Sequence, residues 1–194
     1  MLIFLSGGSA SGKSALAERV CMALSPAAEH IYIATMPVRS LEDERKVARH
    51  HALRAGRGFA RTLEMPGRLD AAAVPPDAAV LLECLSTFTA NRMFEGEAAP
   101  PGGDWLEALW AELRPLLDRP GDTVIVSADV SGDGLTFGAS TEAYRRVLTG
   151  LGVRLCERAD CAIEAVCGRA VVHKGPPPPC LPLEGKVAER SEAG

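Results

Sequence analysis

The sequence predicts an α/β protein built around a mainly parallel β-sheet. Short apolar runs alternate with longer segments of helix-forming residues, which is typical of parallel strands connected by helices. The last two apolar runs flank the dipeptide Cys167-Gly168 and indicate a terminal hairpin, so one edge of the sheet is expected to be antiparallel. A stretch of tiny residues follows the first apolar run and precedes a helical segment, an arrangement that suits anion binding.

The order of elements follows from these patterns. The predicted strands are residues 2–5, 31–34, 79–82, 123–127, 162–166 and 170–173. The predicted helices are residues 13–24, 41–55, 86–94, 105–117 and 141–158. Segments 74–77 and 98–103, rich in Pro and Gly, are expected to be surface loops. Residues 1–174 are predicted to form one domain, and the Pro-rich remainder, 175–194, a disordered tail that forms no packed element.

Composition excludes several functional classes. With 47% hydrophobic and 24% charged residues, the chain of 194 residues has the balance of one soluble globular domain. A net charge of -4 and only 5% aromatic residues argue against a nucleic-acid-binding protein. No apolar run approaches the roughly 18 residues of a membrane span, and the N-terminus predicts a strand rather than a signal peptide. We therefore expect a cytoplasmic protein.

The cysteines support the same expectation. There are six of them, with no CxxC pair and no zinc-ligand spacing, so buried, reduced thiols are predicted. They are Cys21, Cys84, Cys156, Cys161, Cys167 and Cys180.

Residues 7–14 form a phosphate-binding motif. They read GGSASGKS, with Gly7, Gly12, Lys13 and Ser14 in the G-x-x-x-x-G-K-S arrangement of a P-loop. Backbone N–H groups of such a loop surround phosphate oxygens, and the helix that follows directs its positive dipole end at the anion. Lys13 is expected to neutralise the β- and γ-phosphates, and Ser14 to ligate Mg²⁺. The residues predicted to contact nucleotide here are Gly8, Ser9, Ala10, Ser11, Gly12, Lys13, Ser14 and Ala15. The motif predicts a P-loop NTPase fold of the RecA-like type.

A P-loop also requires an acidic residue at the end of a neighbouring strand to orient the metal ion. Two residues qualify: Glu83, which closes the run AVLLE, and Asp129, which follows VIVSA. Glu83 is preferred because it directly follows a cleaner apolar run.

The predicted helix 41–55 has the character of an anion-binding element. Its large apolar residues make only a thin stripe, so it would bury little. Steps of four residues align Glu42, Lys46, His50 and Arg54 on one face. An imidazole can attack phosphorus, and arginines can hold phosphate oxygens, so His50 is a candidate nucleophile. The alternative is that His50 is an ordinary surface histidine. His51 points about 100° away around the helix.

Several motifs together resemble one family. They are GGSASGKS, IYIAT at 31–35, KVARHHALR at 46–54, TLE at 62–64, LLECLSTFTAN at 81–91 and VIVSADVSGDG at 124–134. Over residues 1–174 the chain resembles the bifunctional adenosylcobinamide kinases / adenosylcobinamide-phosphate guanylyltransferases of cobalamin biosynthesis. The most specific part is the combination of the His50 segment, the acid before Cys84, and Asn91.

The resemblance implies two reactions on a corrinoid. A nucleoside triphosphate, ATP or GTP, phosphorylates the hydroxyl of adenosylcobinamide. GTP then guanylylates a histidine, which corresponds to His50, and GMP passes to adenosylcobinamide phosphate. The resemblance also implies that Glu64 and Glu83 contact the guanine nucleotide and that the protein is a homotrimer. Further implied nucleotide contacts are Ala34, Thr35, Met36, His51, Ala52, Leu53 and Arg54.

The chain departs from the family pattern on the expected acceptor side. Relatives carry N-E-V-G-x-G-I-V-P after the fourth strand, whereas residues 128–136 read ADVSGDGLT. The family's acidic and Asn positions in the last long helix correspond to Arg146 and Gly152. Two alternatives therefore stay open: a P-loop kinase for another small molecule, and a nucleotide-binding protein that has lost its acceptor activity.

Overall fold

The computed structural model describes residues 1–37, 40, 56, 58–95, 99–130 and 137–181. Seven strands in these ranges form one sheet in the order β3-β2-β4-β5-β1-β6-β7. The strands are β1 Leu2–Gly7, β2 His30–Ala34, β3 Arg61–Glu64, β4 Ala79–Glu83, β5 Thr123–Ala128, β6 Cys161–Val166 and β7 Arg169–Lys174. β1 to β6 pair in parallel, and β7 pairs antiparallel with β6. The predicted fold class, including its antiparallel terminal hairpin, is confirmed.

Four α-helices lie in the described ranges. They are α1 Lys13–Leu24, α2 Leu85–Phe94, α3 Trp105–Leu117 and α4 Ala139–Arg158. Short 3₁₀ turns occupy Ala71–Ala73 and Pro101–Gly103. These four helices were all predicted, with ends that agree to within two residues. The predicted helix 41–55 lies outside the described residues.

Both faces of the sheet are buried at its inner strands, which explains the near-continuous apolar runs of β1, β2, β4 and β5. In β1, Leu2 and Phe4 pack with α2, α3 and α4, whereas Ile3 and Leu5 point to the opposite face and pack with α1. This alternation is the two-residue period of an extended strand. Phe88 of α2 is completely buried in the first of these two cores.

β3 was not predicted as a strand. Its sequence RTLE is only four residues long, and both charged ends, Arg61 and Glu64, are exposed. It pairs only with β2, at the edge of the sheet. A short edge strand with charged ends gives almost no hydrophobic periodicity from which to predict it.

The segment 175–181, predicted as the start of an unpacked tail, packs against the protein instead. Leu181 is only 8% exposed and lies in the same core as Leu5 and Leu16. Its N–H donates to the carbonyl of Pro178 at 2.9 Å, which closes a turn. The prolines favour this compact turn, and one apolar side chain anchors it. Residues 182–194 lie outside the described residues.

The cysteines are all free thiols, but they are not all buried. Cys21 and Cys161 are buried, whereas Cys167 is exposed. Cys167 stands at the turn between β6 and β7 with a φ of 50°, so the turn directs it away from the core. No helix in the described ranges is both long and apolar enough to cross a bilayer.

Candidate nucleotide-binding site

The P-loop connects the carboxyl end of β1 to the amino end of α1, as its sequence predicts. Gly12 precedes the helix with a φ of 87°, a left-handed conformation that favours glycine. Ala10 also has a positive φ, of 56°, which indicates local backbone strain in the loop. α1 has no acidic residue of its own in its first turn, so no side chain of the helix competes with an anion for its positive dipole end.

Neighbouring segments hold the loop in place. The N–H of Gly168, at the β6–β7 turn, donates to the carbonyl of Ser11 at 2.9 Å. The N–H of Asp129 donates to the carbonyl of Gly7 at 3.0 Å. A Cβ atom at Gly7 would lie 2.7 Å from the carbonyl oxygen of Ala165 on β6, so only glycine fits where β1 turns into the loop.

Lys13 lies over the loop. Its Nζ donates to the carbonyl of Gly8 at 3.0 Å. Gly8, Ser9 and Ala10 are exposed, whereas Ser11 is buried and its Oγ has no hydrogen-bond partner. Exposed small residues beneath a lysine ammonium provide an open, positively charged surface that suits phosphate oxygens. Ala15 is exposed on the first turn of α1.

Glu83 lies at the carboxyl end of β4, opposite the P-loop. The Ser14 hydroxyl donates to Glu83 Oε1. The Tyr32 hydroxyl donates to the other carboxylate oxygen, Oε2, at 2.6 Å. Only β5 separates β4 from the P-loop strand β1, so the sheet brings residues 14 and 83 together across 69 positions of sequence.

The chemistry of this pair fits Mg²⁺. A serine hydroxyl and a carboxylate are hard oxygen ligands, and Mg²⁺ is usually held by one or two carboxylates together with substrate phosphates and water. The described ranges contain no group of three or more His, Cys, Asp or Glu side chains able to form a metal cage. A shared site between the protein and a nucleotide is the arrangement consistent with these donors.

Asp129, the other acid considered for the metal, is exposed just after β5. Its backbone N–H contacts Gly7, but the Ser14 hydroxyl is directed at Glu83. The geometry favours Glu83 over Asp129 for the metal role.

The ends of three strands meet beside Glu83. In the sheet register, Ala34 on β2 lies between Glu83 on β4 and Glu64 on β3. Glu64 is exposed, and Met36 is half-buried. Acidic side chains from two strands therefore flank the end of β2, at the edge where parallel α/β sheets bind their ligands.

Thr35 is completely buried, and its hydroxyl is engaged by protein. Thr35 Oγ1 accepts from the N–H of Cys84 at 2.8 Å and donates to the carbonyl of Cys84 at 3.0 Å. Its backbone groups are also engaged, since the N–H donates to the carbonyl of Glu83 at 3.1 Å and the carbonyl accepts from Asn91 Nδ2 at 2.8 Å. Its hydroxyl therefore links the end of β2 to Cys84, the residue after Glu83.

Asn91 provides a second hydrogen-bonded link to the end of β2. Its Nδ2 donates to the carbonyls of Thr35 and Pro66, both at 2.8 Å, and the residue is only 6% exposed. These bonds join α2 to the segments that follow β2 and β3. The family resemblance includes Asn91 but implies no role for it. No role was predicted for Tyr32 either, because a tyrosine inside an apolar strand looks like ordinary core.

The predicted nucleophile His50 and the residues His51, Ala52, Leu53 and Arg54 lie outside the described residues. The chain after this segment returns beside the site. The ring of Phe59 packs edge-on against Tyr32, with centroids 5.4 Å apart and planes at 89°.

The departures on α4 have different environments. Arg146 is exposed. Gly152 is half-buried and faces the core, because a Cβ atom there would lie 3.7 Å from Cζ of Phe4. Tyr144 lies near the site, with its hydroxyl 3.2 Å from the carbonyl of Ser86. Burial, reinforced by the nearby Cys84, raises the pKa of Tyr144 to about 12.

The fold and the P-loop facing Glu83 define a P-loop nucleotide-binding protein. The family model described as cobinamide kinase / cobinamide phosphate guanyltransferase matches residues 3–172. The chain belongs to this family.

Individual relatives agree with this assignment. The chain is 30% identical over 172 residues to the bifunctional adenosylcobalamin biosynthesis protein CobU of Salmonella typhimurium, covering 82% of this chain and 92% of that protein. It is 31% identical over 142 residues to the protein of the same name from Escherichia coli, covering 67% and 76% of the two chains. It is 31% identical over 175 residues to the bifunctional adenosylcobalamin biosynthesis protein CobP of Pseudomonas aeruginosa, covering 88% and 96%.

Proposed function

We propose that the chain is a bifunctional enzyme acting on a corrinoid. It phosphorylates adenosylcobinamide with ATP or GTP, and it transfers GMP from GTP to adenosylcobinamide phosphate to give adenosylcobinamide-GDP. The observation that carries the proposal is a P-loop whose Ser14 contacts Glu83, in a chain that matches this family over residues 3–172.

The nucleotide side of the proposal assigns phosphate binding to residues 8–15. Lys13 holds the β- and γ-phosphates with its ammonium, in line with its position over the loop. Ser14 and Glu83 hold Mg²⁺, which when bound neutralises negative charge on the phosphate oxygens. Glu64 and the segment formed by Ala34, Thr35 and Met36 contact the guanine nucleotide, together with His51, Ala52, Leu53 and Arg54.

The guanylyl transfer proceeds in two displacements at the α-phosphorus of GTP. A ring nitrogen of His50 attacks, a P–N bond forms, and the bond to the bridging oxygen breaks, so pyrophosphate leaves. A phosphate oxygen of adenosylcobinamide phosphate then attacks the same phosphorus, and the P–N bond breaks to free His50. The covalent intermediate divides one difficult transfer into two easier ones. In the kinase reaction, the substrate hydroxyl oxygen attacks the γ-phosphorus, the hydroxyl loses its proton, and the nucleoside diphosphate leaves.

Labelling with α-³²P GTP and Mg²⁺ tests the proposal. The wild-type protein is expected to retain covalent label that is labile in acid and stable in alkali, as a phosphoramidate is. His50→Ala is expected to abolish the label. His173→Ala is the matched control, because His173 is exposed on β7 and pairs with Glu164. A wild-type protein that takes up no label would contradict the guanylyltransferase.

Nucleotide turnover separates the remaining alternatives. The proposal expects adenosylcobinamide to stimulate ATP or GTP hydrolysis or transfer. Stimulation only by a different alcohol would indicate another small-molecule kinase. No stimulation by any acceptor would indicate a binding protein. The proposal includes assembly into a homotrimer without nucleic acid, and light scattering of the purified protein tests its mass.

A further inference from the structure

We propose that Tyr32 is a positioning residue for the metal-binding carboxylate: its hydroxyl fixes the orientation of Glu83 toward Ser14. This inference rests on the proposed role of Ser14 and Glu83 in holding Mg²⁺. It adds a residue that belongs neither to the P-loop nor to the strand that carries the acid.

The sheet register explains how Tyr32 reaches Glu83. Tyr32 on β2 lies opposite Leu81 on β4, and Glu83 follows Leu81 by two residues, on the same face of the strand. The two side chains are therefore diagonal neighbours across a parallel pair, within reach of a long aromatic side chain. The hydroxyl donates to Glu83 Oε2 at 2.6 Å, the short distance of a hydrogen bond to an ionised acceptor.

The two oxygens of Glu83 are thereby given separate partners. Oε2 receives the Tyr32 hydroxyl, and Oε1 receives the Ser14 hydroxyl. A carboxylate free to rotate would present either oxygen to the P-loop and would lose entropy when a metal ion bound. One held at Oε2 presents Oε1 to the metal position before the metal arrives, which is the usual effect of partners behind a metal ligand.

Tyr32 itself has little freedom to move. It is only 5% exposed, it packs in the core beneath α1, and the ring of Phe59 lies edge-on against it. Packing alone would be satisfied by phenylalanine at this position, since the core that the ring joins consists of apolar side chains such as Leu16 and Leu81. The hydroxyl is the part of the side chain that hydrogen-bonds to Glu83.

The test compares Tyr32→Phe with Tyr144→Phe. These are the two tyrosines of the chain, and each variant loses one hydroxyl; the Tyr144 hydroxyl bonds a backbone carbonyl instead of Glu83. The probe is the α,β-methylene analogue of GTP, which cannot transfer GMP. Calorimetry without an acceptor gives its Kd in Mg²⁺ and in EDTA, and the ratio of the two Kd values measures how much the metal tightens binding in the absence of GMP transfer.

Tyr32→Phe is expected to reduce this ratio about 10-fold, in the range typical of groups that support a metal ligand, and to leave the Kd in EDTA unchanged. Tyr144→Phe is expected to keep the wild-type ratio. In a Glu83→Gln background, Tyr32→Phe is expected to have little further effect, because the two changes act on one interaction.

Two results would overturn the inference. One is a Tyr32→Phe protein with a lowered melting temperature but the wild-type ratio, which is what a purely structural hydroxyl gives. The other is an equal fall in the ratio of the two Kd values in both tyrosine variants. A wild-type protein whose affinity for the analogue does not respond to Mg²⁺ would instead contradict the metal site of the proposed function, so the two failures are distinguishable.

Discussion

Substitution of Gly7 by alanine tests the close contact between the P-loop and β6. The new Cβ would lie 2.6 Å from Ser11 Oγ and 2.7 Å from the carbonyl oxygen of Ala165. The serine can rotate, but the carbonyl belongs to β6, which pairs with Gly7 in the sheet. Overpacking of this kind costs about 1–3 kcal/mol. Gly8→Ala is the matched control, since a Cβ there meets nothing within 4 Å.

Both variants remove one glycine and therefore change the entropy of the unfolded chain by a similar amount, about 0.4–1 kcal/mol in favour of alanine. The difference between their free energies of unfolding therefore isolates the cost of the clash. Gly7→Ala is expected to be less stable than Gly8→Ala by about 1–3 kcal/mol. Urea unfolding followed by circular dichroism measures this, without nucleotide, because a bound ligand adds its own stabilisation. Equal unfolding free energies with equal m-values would refute the argument from the Ala165 carbonyl.

Two further changes test the links around the site and the end of the chain. Asn91→Ala removes the donor shared by the carbonyls of Thr35 and Pro66 and is expected to lower the unfolding free energy by about 2 kcal/mol and to weaken GTP binding. Urea unfolding measures the first effect and calorimetry the second. Thr89→Ala is the control because its buried hydroxyl bonds within α2, to Leu85. GTP affinity equal to that of the wild type would argue against a link between Asn91 and the site. Leu181→Ala is expected to destabilise the protein by about 2 kcal/mol, because Leu181 fills part of the core beneath α1. Urea unfolding measures this change. A loss below about 0.5 kcal/mol, the size typical of a surface position, would support the prediction of an unpacked tail.

The elements that could be predicted from the sequence are those whose pattern is local. Apolar runs such as Thr123–Ala128 are buried on both faces, so hydrophobicity alone reveals them. The P-loop is equally local, since eight consecutive residues carry its chemistry. β3 and Leu181 were missed because each depends on a neighbour: β3 forms by pairing with β2, and Leu181 is buried by α1 and the sheet. A short stretch of sequence does not contain both members of either contact.

The same reasoning explains which parts of the site were found. Glu83 was a candidate because strand ends are recognisable, but the choice over Asp129 depends on the strand order, which brings Ser14 to Glu83. Tyr32 and Asn91 were given no role because their contacts span 51 and 56 positions of sequence. A buried polar group reveals its function only through its partner, and here the partner lies on another element.

β2 is the element that connects the two sides of the candidate site. Tyr32 holds the side chain of Glu83, and three residues later Thr35 holds the backbone of Cys84 through its hydroxyl. The N–H of Thr35 also donates to the carbonyl of Glu83 at 3.1 Å. The proposed metal ligand and the proposed guanine-contacting segment are therefore tied to one another at several points, through side chain and backbone. A displacement of β2 would alter the orientation of Glu83 and the position of Thr35 together. We infer that substitutions that displace the backbone of β2 change metal-dependent and guanine-dependent affinity in the same direction, whereas Tyr32→Phe, which removes a single hydroxyl, changes metal-dependent affinity alone.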